Sequence, residues 1–106
     1  TNAVEYTAEA GDRIITQAEK YLTTRVSFIK KGKKGEQEYP LGEIVYSYKI
    51  EEACVRFVLY TGQESSVRAD EFISGITGIH DIYGSGIRIV KQCQYRFTDG
   101  APELIL

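Results

Sequence analysis

The chain contains few residues that could perform acid–base or nucleophilic chemistry. His80 is its only histidine, and Asp81 follows it directly. A catalytic histidine needs a nucleophile, a metal or a second acid within reach, whereas adjacent residues on an extended chain point apart. No serine lies in a nucleophile-elbow sequence, and neither cysteine lies in a protease signature. These patterns predict no catalytic residues and a protein that is not an enzyme.

Candidates for metal, cofactor or carboxylate chemistry are equally sparse. Cys54 and Cys93 do not have the spacing of a zinc or CxxC motif. Apolar runs flank both, which favours two reduced thiols over the alternative of one disulfide. Gly84-Ser85-Gly86 lacks the further glycine, the lysine and the helix of a phosphate loop. The pairs Glu51-Glu52 and Asp70-Glu71 are typical of turns or sheet edges. We expect no metal and no cofactor.

The segment from Lys30 to Lys34 is the only local cluster of charge, and it could contact phosphate. Glu36 and Glu38 nearly neutralise its four lysines. The whole chain carries 13 Lys and Arg against 15 Asp and Glu, so it offers no general attraction to nucleic acid or anionic lipid. We expect a solvated hairpin tip whose lysines protect the sheet edges from aggregation. We also expect no nucleic-acid binding at physiological salt.

Length and composition indicate one domain over residues 1–106. A second core would leave each half with about 50 residues, which is too few for ordinary stability. Apolar residues make up 42% and charged residues 26%, which excludes a disordered segment or a membrane protein. No apolar run approaches the roughly 18 residues of a membrane span, and no signal-peptide core is visible near Thr1. We expect no membrane partner, and the composition indicates no compartment.

A helix is the first element that the sequence predicts, from about Asp12 to Thr23. Asp12 follows Gly11 and is expected to cap it. Residues 1–11 are assigned to no element. The apolar residues of the helix recur at helical spacing and form one face, which is expected to pack on a sheet: Ile14, Ile15, Ala18, Tyr21 and Leu22.

From Arg25 onward, alternating apolar residues predict antiparallel strands. The first strand contains Val26–Phe28. The second covers residues 43–50, with Ile44, Tyr46, Tyr48 and Ile50 on one face, and the third contains Val55, Phe57 and Leu59. The fourth covers residues 86–98 and has one face formed by Ile87, Ile89, Cys93, Tyr95 and Phe97. Lys91 interrupts that last face and indicates a bulge or a strand end. A turn at Thr98-Asp99-Gly100 precedes a possible edge strand over residues 103–106.

Between these strands, residues 68–76 fit either a strand or one short helical turn, and residues 75–86 contain four glycines and predict an irregular connection. The predicted fold class is therefore α+β and mainly β. One N-terminal amphipathic helix is expected to pack on a twisted antiparallel sheet of four to six strands.

The stretch from Val67 to Gly100 resembles the middle of a jacalin-type β-prism lectin repeat. The matching elements are Asp70-Glu71-Phe72-Ile73, then Gly75 and Gly78, then Ile87-Arg88-Ile89-Val90, and Phe97-Thr98-Asp99-Gly100. In that family the first of these is an extended segment, and the third belongs to a long strand. The family's Gly-x-x-x-Asp sugar loop has no counterpart here, so no family binding residue is carried over. The resemblance implies a β-rich, non-catalytic binding module.

Eight tyrosines are the remaining functional signal. Tyrosine offers an apolar ring with a polar tip, which suits protein interfaces and sugar recognition, although it is also a common strand residue. We expect the core to take up Ile44, Val55, Phe57, Ile87, Ile89 and Phe97, and a surface recognition site to use Tyr46, Tyr48 and Tyr60. The expected function is a recognition module whose partner is a protein or, as a weaker alternative, a carbohydrate. The second interpretation is a structural or inhibitory subunit that acts by self-association or by capping another protein.

Overall fold

The structure is a computed structural model, and it describes residues 2–32, 35–98 and 101–105. Lys33 and Lys34 of the lysine cluster, and Asp99 and Gly100 of the expected turn, lie outside the described residues. The elements follow the order β1 (Asn2–Glu9), α1 (Asp12–Thr24), β2 (Ser27–Gly32), β3 (Gly35–Pro40), β4 (Val45–Ile50), β5 (Cys54–Thr61), α2 (Ala69–Thr77), β6 (Arg88–Thr98) and β7 (Ala101–Ile105). With 49% strand and 28% helix, the described part of the chain is mainly β, as predicted.

Five of the strands form one antiparallel sheet in the order β4-β5-β1-β6-β7. The central strand is β1, which pairs with β5 on one side and β6 on the other. The prediction from sequence leaves this segment unassigned, although Val4, Tyr6 and Ala8 alternate there with polar residues. The helix α1 therefore follows a strand, and the expectation of a strictly N-terminal helix is corrected.

Helix α1 covers the predicted segment and extends it by one residue, to Thr24. The predicted face is confirmed: Ile15, Ala18 and Leu22 are buried, and Ile14 packs partly buried against the same core. The expected cap is wrong, because the N-cap residue is Gly11, with no side-chain hydrogen bond, and Asp12 lies in the first turn. An acidic residue there still interacts favourably with the helix dipole.

Helix α2 occupies the segment for which the sequence allowed a strand or a short helical turn. A strand would place the adjacent residues Phe72 and Ile73 on opposite faces, whereas the helix buries both, together with Ile76. Gly78 ends the helix with φ of 77°, a conformation that glycine adopts without strain. The described part of the chain therefore has two α-helices rather than one.

The main core lies on one face of the five-stranded sheet, under both helices. Strands β2 and β3 form a separate hairpin beside it. A row of aromatic rings joins the three layers: Phe28 of the hairpin stacks on Phe72 of α2 at 5.8 Å, and Phe72 lies 5.0 Å from Phe57 of β5. Gly75 allows this contact, because a Cβ atom at that position would overlap the Phe28 ring. The hairpin is thus attached to the sheet through α2.

Two β-bulges interrupt the sheet. In β4 the pairing moves from Val45↔Leu59 to Ser47↔Val58, which leaves Tyr46 as the extra residue. In β6 the register with β1 shifts in the same way near Lys91, as the interrupted pattern predicts. A bulge reverses the face to which the following side chains point. The two halves of β6 therefore face opposite sides of the sheet, which corrects the single face predicted for residues 86–98.

Candidate functional site

The sheet face opposite the helices carries a cluster of three aromatic rings from three strands. Tyr46 of β4 lies edge-on to Phe97 of β6, with ring centroids 5.1 Å apart. Tyr60 of β5 lies 5.6 Å from Phe97 and 6.0 Å from Tyr46. We call these three residues the aromatic cluster. Contacts of this geometry stabilise a ring arrangement beyond simple burial.

The aromatic cluster requires a strongly curled sheet. Strands β5 and β1 lie between β4 and β6, so in a flat sheet the outer two would be about 14 Å apart. Their rings nevertheless touch, so this face of the sheet is concave. Ala3 of β1 pairs with Tyr60 on one side and Tyr95 on the other and is fully buried. Its small side chain leaves room for the rings to close over the central strand.

A groove of about 160 Å³ lies beside the aromatic cluster on the same face. Its lining combines aromatic, apolar and polar groups: Glu5, Tyr46, Ser47, Val58, Tyr95, Phe97 and Pro102. Leu104 of β7 pairs with Tyr95 and continues the apolar surface towards the sheet edge, where it is 50% exposed. Together the aromatic cluster, the groove and Leu104 form what we call the aromatic face.

Two polar groups of the groove, on Glu5 and Tyr95, are linked through the neighbouring Cys93. The Cys93 thiol donates to a Glu5 carboxylate oxygen at 3.5 Å. A hydrogen bond with Cys93, followed by desolvation, raises the pKa of Tyr95 to about 12. The Tyr95 hydroxyl therefore stays protonated throughout the neutral range. The groove thus presents a hydroxyl group and a carboxylate next to aromatic rings.

The structure brings together two of the three predicted tyrosines. Tyr46, at 44% exposed, and the half-buried Tyr60 belong to the aromatic cluster. Tyr48 lies on the helix side, where it pairs with Phe57 and its hydroxyl donates to the Leu22 carbonyl of α1 at 3.2 Å. The shared face predicted for Tyr46 and Tyr48 is wrong, because the bulge at Tyr46 reverses the face of the residues after it.

Phe97 is the residue that the sequence pattern misplaces. It is predicted in the core, but it is half-buried on the aromatic face. The other five predicted core residues are confirmed: Ile44, Val55, Phe57 and Ile87 are buried, and Ile89 packs partly buried against them. The interruption of the pattern at Lys91 is the sequence signal that could have placed Phe97 correctly. If the side chains change face after Lys91, Tyr95 and Phe97 lie on the other side of the sheet from Ile87 and Ile89.

The residues considered above for catalysis or metal binding are His80, Asp81 and the two cysteines. His80 is exposed, and Asp81 accepts a hydrogen bond from the Gly84 backbone N–H at 3.0 Å. Both cysteines are free and half-buried, and burial together with Glu51 raises the pKa of the Cys54 thiol. Within the described part of the chain, no three His, Cys, Asp or Glu side chains form a group that could hold a metal ion.

A second and larger concavity lies between the two helices and the β2–β3 hairpin. This cleft has a volume of about 480 Å³ and contains none of the predicted tyrosines. Its lining is Tyr21, Arg25, Phe28, Ile29, Lys30, Lys31, Glu36, Glu71, Ser74, Gly75, Gly78 and His80. Most of these residues are exposed or half-buried, so the cleft opens to solvent.

Comparison with known proteins gives no relative for this chain: no family model, no curated protein and no solved structure matches it. The resemblance to jacalin-type lectins over residues 67–100 therefore stays a prediction. Within that stretch, Asp70–Ile73 form part of α2 rather than an extended segment. Neither helix in the described ranges is long and apolar enough to cross a membrane.

Proposed function

We propose that this protein is a non-enzymatic recognition module that binds a protein partner through its aromatic face. The observation that carries the proposal is the placement of the aromatic cluster on the side of the sheet that the helices leave uncovered. Among the described residues, both helices pack against the other side. A cluster of partly exposed aromatic rings on a concave surface is typical of an interface that is open to a partner.

The residue types in the aromatic face support a protein partner. Tyrosine is enriched among residues that dominate binding energy, especially near the centre of an interface. Tyr46 and Tyr60 are fixed by their contacts with Phe97, so they lose little conformational freedom on binding. The groove beside them adds the Glu5 carboxylate and the Tyr95 hydroxyl, which provide directional hydrogen bonds.

A carbohydrate is the weaker alternative for the same surface. Sugars also bind to aromatic rings flanked by hydroxyl and carboxylate groups. The groove, at about 160 Å³, is small compared with typical small-molecule pockets. A protein loop or helix that covers the whole aromatic face would use the groove as one part of a larger contact.

The test compares two tyrosine variants that differ only in location. The native host's lysate is passed over immobilised wild type, Tyr46→Ala and Tyr83→Ala. Tyr83 is 69% exposed in the loop before β6 and lies outside the aromatic face. We expect the wild type and Tyr83→Ala to bind the same partner with similar affinity. Tyr46→Ala should bind it at least about tenfold more weakly than the wild type, as for a hot-spot residue.

Equal capture by both variants would contradict the proposal. Light scattering after size exclusion shows whether the partner is a second copy of the chain. A glycan array probed with the same variants detects a sugar ligand. Glycan binding that depends on Tyr46 would reassign the partner from protein to carbohydrate.

One observation favours a second function, a subunit that acts by self-association. All five residues of β7 are exposed, and within the described ranges this strand pairs only with β6. An exposed strand at the edge of a sheet can accept a strand from another molecule. Replacing Leu104 with Lys would abolish a dimer formed at this edge, whereas Tyr83→Ala would preserve it, as light scattering would show.

A further inference from the structure

The cleft between the helices and the hairpin has a floor that is fixed by packing. Phe28 is buried between the hairpin and α2, and its ring lies directly against Gly75. The neighbouring residue Ile29 has 48% of its surface exposed. Tyr21 on the α1 side is held by its hydroxyl, which donates to the Ser27 carbonyl at 2.9 Å. The cleft is therefore a defined concavity with apolar and aromatic groups in its lining.

The charges around this cleft are predominantly positive. Arg25 and Lys31 line it and make no ion pair with any residue in the ranges 2–32, 35–98 and 101–105. Lys30 donates to the Glu64 carbonyl at 2.8 Å, a contact that leaves its charge uncompensated.

Two carboxylates also line the cleft, and only Glu71 of the two makes an ion pair with a residue that the structure describes. Glu71 lies 3.4 Å from the Arg68 guanidinium and accepts the Arg68 backbone N–H at 3.2 Å. The same guanidinium also lies 3.3 Å from Asp70, so it compensates the charge of Glu71 only in part. Glu36 stands opposite Lys31 in the hairpin register. The three lining Arg and Lys residues still outnumber the two lining carboxylates, so the cleft attracts anions.

The aromatic component of the site comes from Tyr21. The Arg25 guanidinium lies over the Tyr21 ring, 5.9 Å from its centroid. A guanidinium in this position can bind an anion at its edge while an aryl group packs on the nearby apolar surface of Ile29. A volume of about 480 Å³ lies within the range of small-molecule sites.

We propose that this cleft binds a small aromatic anion, in which an aryl ring is joined to a phosphate or carboxylate group. The anionic group binds to Arg25 and Lys31, and the ring packs against Tyr21 and Ile29. This site is separate from the aromatic face, and the proposal does not depend on the function assigned to that face.

The experiment titrates phenyl phosphate into the ¹⁵N-labelled full chain and follows amide signals by NMR. We expect saturable shifts at Gly75, Gly78 and His80, which line the cleft. Inorganic phosphate has the charge without the ring, and benzyl alcohol has the ring without the charge. Each should bind at least about fivefold more weakly, since each lacks one of the two contacts. Benzoate in place of phenyl phosphate distinguishes a carboxylate from a phosphate ligand.

Charge-reversal variants locate the binding. Lys31→Glu and Arg25→Glu should each weaken phenyl phosphate binding by about tenfold or more, since the anion then meets a like charge. Arg88→Glu makes the same change in net charge but lies on β6, outside the cleft. It should leave the affinity within about twofold. Tyr46→Ala should also leave it unchanged, which separates this site from the aromatic face.

Several results would overturn the proposal. One is the absence of saturable shifts up to about 10 mM of both phenyl phosphate and benzoate, a concentration that reveals even weak sites. Another is equal affinity for inorganic phosphate or for benzyl alcohol, because the site would then not recognise the combination. A third is equal weakening by Lys31→Glu and Arg88→Glu, which would indicate a general charge effect.

Discussion

Tyr46 and Phe97 touch edge to face with ring centroids 5.1 Å apart, although two strands separate the strands that carry them. The contact is possible because the sheet curls and because Ala3 occupies the central strand beneath the rings with a side chain of one methyl group. The aromatic face therefore depends on the small side chain of Ala3 beneath it as much as on its rings. Two bulges complete the arrangement, since each directs an aromatic side chain to this side.

The first prediction concerns Ala3. Replacing it with Leu inserts three further carbon atoms at a fully buried position. We expect a loss of about 1–3 kcal/mol in the free energy of unfolding, as for other overpacked sites. Near-UV circular dichroism should also change, because the tyrosine rings can no longer close over β1. Asn2→Leu, on the same strand at an exposed position, is the control. Unchanged stability and spectra in Ala3→Leu would show that the rings do not depend on this residue.

The second prediction concerns the contact between the hairpin and α2. Gly75→Ala should gain about 1 kcal/mol in helix propensity. We expect it nevertheless to destabilise the protein by about 1–3 kcal/mol, because the new methyl group overlaps the Phe28 ring. Urea denaturation measures the difference, and Ser74→Ala, at the adjacent helical position, is the control.

A second variant isolates the cause of this effect. Phe28→Leu removes part of the ring, so it should make Gly75→Ala less harmful when the two are combined. The double-mutant cycle should therefore give a favourable coupling of about 0.5 kcal/mol or more. Simple additivity of the two changes would mean that the methyl group and the ring do not meet.

The third prediction concerns the buried face of α1. Ile15→Ala and Leu22→Ala should each cost about 2–5 kcal/mol, because both side chains are buried in the core. Gln17→Ala, on the exposed side of the same helix, should change the stability by less than about 0.5 kcal/mol. Losses below that level at both buried sites would show that α1 is peripheral to the fold.

The fourth prediction concerns alkaline pH. The pKa of Tyr95 in the folded protein is about 12, compared with an ordinary value of 10.0. The unfolded chain therefore releases this proton first. The resulting contribution to stability is complete below pH 10 and is lost as the pH rises through 12. Urea denaturation across this range should show a smaller alkaline loss in Tyr95→Phe than in the wild type.

The physical cause of this shift can be checked separately. The hydrogen bond with Cys93 is the largest contribution, so Cys93→Ala should lower the pKa of Tyr95 towards 10.0. NMR titration of the Tyr95 ring measures it directly. The pKa of Tyr21 is raised chiefly by burial, so it should not move in Cys93→Ala. An unchanged pKa for Tyr95 would assign the shift to desolvation instead.

The sequence predicts those elements whose periodicity is uninterrupted. Helix α1 has a continuous apolar face, and β5 has a buried apolar residue at every second position from Val55 to Leu59, so both are recovered. Helix α2 is only nine residues long, and its adjacent apolar residues Phe72 and Ile73 fit either period. The aromatic face is recovered in part, because one extra residue at Tyr46 and another near Lys91 reverse the alternation after them. The local pattern indicates the insertion near Lys91, whereas the one at Tyr46 follows from the pairing of β4 with β5 and leaves no sign in the sequence pattern.

The position of β1 at the centre of the sheet also affects how the protein must fold. The strand is translated before both of its partners, Cys54–Thr61 and Arg88–Thr98. Each pairing closes a long loop, and such non-local contacts slow folding. Until β6 has been synthesised, one edge of β1 has no native partner. We therefore expect the sheet to complete itself only after translation has passed β6, with the exposed edge of β1 open to pairing with other chains during that interval.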